Sequence, residues 1–178
     1  MSSKEEVLNK KIEQGLKFKD EGGSEFKAGN FSQALKKYHY ALLYLRGLND
    51  SLLGLTKDRN PENLKESDIT DLEKDISNIH SNMALCQLRL GRLNQITRCA
   101  NAALEVNPFN KKAKFRLAQG LIREGAVINA AEILDKLEKD SPNDPAFAAE
   151  RRQIESREKL AEAKQRKEFA GMFDRAKD

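Results

Sequence analysis

The chain has no tryptophan, two cysteines, four prolines and only 6% aromatic residues in 178. Two cysteines cannot staple a fold, and Cys86 and Cys99 lie in helix-like stretches among apolar neighbours, so both read as free buried thiols. Few prolines and aromatics beside 34% charged residues disfavour a sandwich of short strands and favour helices with wet outer faces. No apolar run approaches the roughly 18 residues of a membrane span, and "MSSKEEVLNKK" at the N-terminus lacks an apolar h-region. These absences predict a soluble, cytoplasmic protein without a membrane partner, nuclear entry remaining compatible. Charge of one sign is also scarce: 32 basic against 28 acidic residues leave +4. The basic residues lack interleaved aromatics and acids recur throughout, so nucleic acid is not an expected partner.

Chemistry-bearing motifs are missing too. "GGSEFKAGN" lacks the Gly-Lys-Ser/Thr ending of a phosphate loop, and "GGSEF" has Phe26 where a nucleophile elbow needs its second glycine. His39, His80, Cys86 and Cys99 are too few and too scattered for zinc, and no nucleophile has a base beside it. The sequence therefore predicts no catalysis, no metal and no cofactor.

What the chain does contain is itself, more than once. Shifting "HSNMALCQLRLGRLNQITRCANAALEVNP" forward by 34 residues puts Gly91 on Gly125 and Pro108 on Pro142. Shifting it back by 62 puts Gly91 on Gly29, Leu93 on Phe31, Ile96 on Ala34 and Ala103 on Ala41. In the third copy Val127, Ala130 and Leu137 take those places. Small residues at fixed positions let antiparallel helices approach, the glycine marks the turn between them, and the proline ends the unit. We place three helix-turn-helix repeats at about 14–48, 77–110 and 111–144, with a loop-like insert at about 48–66 that carries Gly54 and Asn60-Pro61. Thr70 and Glu73 have the spacing of a capping box and mark a helix start. Residues 1–144 form the repeat domain and 145–178 a helical extension, with Asp144 as N-cap and Pro145 in the first helical position. In that extension Phe147, Ile154 and Ala161 recur every seven residues and are expected to pack on the last repeat. Phe169, Met172 and Phe173 form an apolar tip. The mixed charges of its distal part suit a solvent-exposed helix with internal ion pairs.

The period of 34 with this pattern resembles the tetratricopeptide repeat. "FKAGNFSQALKKYHYALLYLRGL", an insert, "SNMALCQLRLG" and the ending "KQRKEFAGMF" together resemble the tetratricopeptide repeat protein 9 family. The same layout is similar to the helical domain of the large immunophilins. The likeness runs from about Lys19 to Phe173, and no isomerase barrel lies within it, so that activity is not implied. It implies an all-α solenoid of three repeats with a long capping helix, acting as a non-enzymatic chaperone adaptor.

"FNKKAKFRLAQG" holds four positive charges in six residues: Lys111, Lys112, Lys114 and Arg116. Residues four apart share a helix face, so Lys112 and Arg116 point together while Lys111 and Lys114 rotate away toward water. In many co-chaperones the groove lined by the first helix of each repeat holds the Glu-Glu-Val-Asp tail of heat-shock proteins 70 and 90 in a carboxylate clamp. The resemblance assigns Lys19 to the first-repeat lysine of that clamp, Asn82 to the second-repeat asparagine, and Lys112 and Arg116 to the third-repeat pair. The position of the first-repeat asparagine is Gly23, which has no side chain to donate. Lys27, Arg89 and Arg123 share a frame position and would add a row of positive charge along the groove. The alternative is a scaffold whose groove takes a different protein client without a working clamp.

Overall fold

In a computed structural model, residues 3–52, 63–142 and 144–175 are described, with side chains over 6–46, 63–142 and 144–169. Gly54 and Asn60-Pro61 of the insert, and the side chains of Met172 and Phe173, lie outside the described residues.

Helix α1 (Ser3–Lys27) turns at Gly29 into α2 (Phe31–Leu52), and α3 (Asp71–Arg89) turns at Gly91 into α4 (Leu93–Val106). Helix α5 (Lys111–Glu124) turns at Gly125 into α6 (Val127–Asp140), and α7 (Pro145–Arg175) follows. The three glycines have φ of 82°, 68° and 90°, the left-handed region that favours glycine. Each turn is closed alike. The amide after the glycine donates to a carbonyl five residues back: Asn30 to Glu25 (2.9 Å), Arg92 to Gln87 (3.0 Å) and Ala126 to Leu121 (2.9 Å). This Schellman pattern satisfies the carbonyls a helix end leaves open.

The helices stack in order, each on the next, and α3 also touches α5. The small frame positions face inward: Ala34, Ile96 and Ala130 are fully buried, as are Ala41 and Ala103, with Leu137 nearly so. The core has two parts. One gathers Leu35, Tyr38, Leu45, Ile76, Ile79 and Ile96 from α2 to α4; the other gathers Ala118, Ile122, Leu134, Leu137, Phe147 and Ile154 from α5 to α7. A buried polar link joins α5 to α3 and α4. The Asn110 side chain caps α5 by accepting from the Ala113 amide (3.1 Å) and donates to Ser77 Oγ (2.8 Å), which donates to the Ala103 carbonyl (2.8 Å).

The capping box at Thr70 and Glu73 is formed: the Glu73 amide donates to Thr70 Oγ1 (3.2 Å) and the Thr70 amide to Glu73 Oε2 (2.8 Å). Helix α3 thus starts at Asp71, ahead of the 77–110 frame, while α2 continues to Leu52 into the insert, and a 3-10 turn at Glu66–Asp68 lies between the end of the insert and α3. Asp144 caps α7 by accepting from the Ala146 amide (2.9 Å). Phe147 and Ile154 are buried against the last pair, Phe115 meeting Phe147 edge-on at 5.3 Å. Ala161 does not pack, and the side chains from Glu155 to Phe169 are exposed. The reason is length: α6 has 14 residues, about 21 Å at 1.5 Å per residue, and α7 has 31, about 46 Å, so α7 outruns its support.

Two adjacent glycines in α1 have opposite roles. A Cβ on Gly22 would stand 2.7 Å from the Tyr38 ring, whereas one on Gly23 would meet nothing within 4 Å. Gly22→Ala should therefore lower stability by about 1–3 kcal/mol through overpacking. Gly23→Ala should raise it by up to about 1 kcal/mol through helix propensity, both read by urea unfolding.

His80 is buried between α2 and α3, where Arg46 Nη2 donates to its Nε2 (3.0 Å). A guanidinium only donates, so the neutral ring carries its proton on Nδ1. Burial, then the Arg46 charge, then His39 push the His80 pKa down from 6.5 to about 4. Between those values the unfolded chain binds the extra proton, so stability is complete above 6.5 and falls as pH falls toward 4. By pH 5 the loss should reach about 2 kcal/mol, at 1.36 kcal/mol per pKa unit. Thermal melts from pH 7 to pH 5 check this; His80→Gln, which keeps an acceptor for Arg46, should flatten the profile.

Candidate peptide-binding site

The four clamp candidates stand on the first helix of each pair: Lys19 on α1, Asn82 on α3, and Lys112 and Arg116 on α5. Lys19 and Arg116 are already engaged by other residues. Lys19 Nζ is 2.7 Å from Asp75 Oδ1 on α3, an ion pair tying the first helices of pairs one and two. Asn82 faces the Tyr38 hydroxyl, whose pKa burial pushes up to about 12.

Arg116 is half-buried, 5.4 Å over the Phe115 ring, and donates from Nη1 to Gln119 Oε1 (2.7 Å). Desolvation and then the Arg89 charge lower its pKa, with Glu150 opposing them. It stays charged, because arginine does not deprotonate in proteins, and a desolvated cation gains from an added anion. Lys112 is exposed on the same helix, one turn before. Between α5 and the start of α7 a cavity of about 180 Å³ has Lys112 and Arg116 on its edge and Phe115, Leu137 and Phe147 among its walls. The sequence did not reveal this hollow, since it needs α7 folded back onto α5.

Three sequence expectations change. Lys111 does not meet only water: its Nζ is 3.1 Å from Asp140 Oδ2, because α6 ends beside the start of α5. Lys114 is half-buried, as a helix packed on both sides has little free circumference. The row formed by Lys27, Arg89 and Arg123 is not uniformly available. Lys27 and Arg89 are exposed, but Arg123 Nη1 donates to the Gln119 carbonyl (2.8 Å) and lies 3.4 Å from Glu150 Oε2.

Glu150 went unnoticed in the sequence, one acid among many in α7. Only 4% exposed, it accepts from Gln119 Nε2 (2.6 Å) as well as facing Arg123. A chain of side chains thus runs from Arg116 through Gln119 to Glu150, coupling the α5 guanidinium to the docking of α7. Among the described residues no group of His, Cys, Asp and Glu is arranged to hold a metal ion, and both cysteines are free and buried. Burial pushes the Cys86 thiol up to about 12 and raises Cys99 as well.

No protein-family model matches the chain. The structure superposes on the C-terminal TPR-containing domain of a Plasmodium falciparum FK506-binding protein with a TM-score of 0.64 at 22% identity, over 89% of this chain and 95% of that one. It superposes on the second TPR domain of human RPAP3, solved with the HSP70 peptide SGPTIEEVD, with a TM-score of 0.60 at 15% identity, over 82% and 98%. The fold is a tetratricopeptide-repeat array. The array carries three helix pairs with Schellman turns, and α7 covers the last pair as a cap. In sequence it is 27% identical over 156 residues to the peptidyl-prolyl cis-trans isomerase FKBP42 of Arabidopsis thaliana, covering 87% of this chain. The chain spans only 40% of the length of that curated relative. Among the described residues no helix of the array is long and apolar enough to cross a membrane.

Proposed function

We propose that this array is a co-chaperone adaptor whose first helices bind the acidic C-terminal tail of heat-shock protein 70 or 90 as a carboxylate clamp. The observation that carries this reading is the α5 pair: an exposed Lys112 and a desolvated Arg116 beside a hollow that Phe115, Leu137 and Phe147 line together with Ser141 and Asp144. That arrangement suits a peptide whose acidic groups alternate with an apolar side chain. The peptide-bound state of the similar RPAP3 domain supports it. Lys112 and Arg116 grip an acidic side chain, the guanidinium offering a planar fork, and Lys19 and Asn82 receive the terminal carboxylates. Membership of the tetratricopeptide repeat protein 9 family is part of the same proposal, on the matching insert boundary and C-terminal ending. So is the division into a repeat domain over 1–144 and an extension over 145–178.

Gly23 favours a second reading, a scaffold for another client, because the first-repeat half of the clamp lacks one donor. Titration calorimetry with free-acid Met-Glu-Glu-Val-Asp and its C-terminally amidated form separates the two. The clamp reading expects micromolar binding of the free acid, about −8 kcal/mol, and weaker binding of the amide. Equal binding of both forms would transfer the site to a different client.

A further inference from the structure

Lys19 already has a carboxylate on it. Its ammonium is 2.7 Å from Asp75 Oδ1, and the two side chains are only 29% and 27% exposed. Asp75 stands seven residues before Asn82 on α3, nearly two full turns, so both project from the same face of that helix. An anion arriving between Lys19 and Asn82 must therefore enter beside fixed negative charge.

Resting on the clamp reading above, we propose that Asp75 is an internal competitor for Lys19 and sets the affinity of the first-repeat half of the site. Two geometries are open to an incoming carboxylate. It displaces Asp75, which returns to water, or it shares the ammonium with Asp75, two like charges around one cation. Both oppose binding, so the sign of the effect is the same whichever occurs. Gly23 sharpens the effect, because nothing stands within 4 Å of where its Cβ would be and no side chain there offsets the repulsion. The α5 half differs: Lys112 is exposed, and Arg116 is held by the neutral amide of Gln119. The site is thus charged unevenly: the third-repeat cations have Asp144 lining the same hollow and Glu150 behind Gln119, whereas the first-repeat lysine carries Asp75 in direct contact.

The test is a double-mutant cycle on the full chain, read by calorimetry with free-acid Met-Glu-Glu-Val-Asp. Asp75→Asn should tighten binding about threefold to tenfold, in line with the coupling of a partly exposed charge pair. Lys19→Ala should cost less than about twofold in the wild-type background and the whole of that gain in the Asp75→Asn background. Unchanged or weaker binding in Asp75→Asn, while Lys112→Ala still weakens it, would overturn the competitor role and leave Asp75 as a residue that positions Lys19. If Lys112→Ala also has no effect, or no variant binds the peptide, the clamp reading falls and this inference with it. Circular dichroism of each variant keeps unfolding apart from these outcomes.

Discussion

Lys112→Glu combined with Arg116→Ala should weaken binding of the free-acid peptide by about a hundredfold, because hydrogen bonds to charged groups contribute roughly 1.5–3 kcal/mol each. Arg116 contributes more than its surface charge suggests. Burial withholds water from it, and its bond to Gln119 uses one of five N–H donors, leaving a planar fork for the ligand. Lys112 contributes a mobile point charge that steers the peptide, so its share should shrink as salt rises. Lys164→Glu is the control: that lysine is exposed on the distal part of α7, away from the hollow, and pairs with Glu168 one turn on, so its loss should change affinity by less than about twofold. Fluorescence polarisation at two salt concentrations reads both variants. An equal loss in Lys164→Glu would mean that bulk charge, rather than the α5 pair, holds the peptide.

Glu150→Ala should cost about 3 kcal/mol of stability, near the lower end of what removing one partner of a buried ion pair does. The substitution strips Gln119 Nε2 of its acceptor and leaves Arg123 facing no carboxylate. Arg123 can swing partly into water, which limits the loss, while the Gln119 amide, 8% exposed, has less room to do so. At about 2–4 °C per kcal/mol for a chain of this size, the melting temperature should fall by roughly 6–12 °C. Glu150→Gln keeps an acceptor for Gln119 and should lose less than half as much. If the two substitutions cost the same in a calorimetric melt, the carboxylate's charge toward Arg123 is the whole contribution and the Gln119 bond adds nothing.

The repeat was legible because its signal is steric and local. Gly29, Gly91 and Gly125 mark backbone that must turn left-handed, and Ala34, Ile96 and Ala130 mark places where helices come close; both leave residue types at fixed spacing. The helix caps at Thr70, Asp144 and Pro145 were legible for the same reason. The state of the clamp residues was not. Spacing puts Lys19, Asn82, Lys112 and Arg116 on the first helix of each pair, but nothing near Lys19 in the chain announces Asp75, 56 residues away. Glu150 is equally hidden, since a buried acid and a solvated one look alike in a helix rich in both charges. The heptad spacing of Phe147, Ile154 and Ala161 extrapolated too far, because periodicity reports which face is apolar and not how long the opposing helix is.

The division of the core has a consequence for cooperativity. Lys19 and Asn82 belong to the layer built on α1 to α4, whereas Lys112 and Arg116 belong to the layer built on α5 to α7. Arrays of this kind are governed by nearest-neighbour coupling, and an end layer opens more easily than the whole. The Ser77–Asn110 link, the packing of α4 on α5 and the contact of α3 with α5 join the layers, and α7 closes the far end. Loosening that outer layer takes both third-repeat cations out of register while most of the helix remains. Peptide capture then reports on a sub-global opening: it disappears under milder heat or denaturant than bulk helicity, and bound peptide slows amide exchange first in α5 to α7.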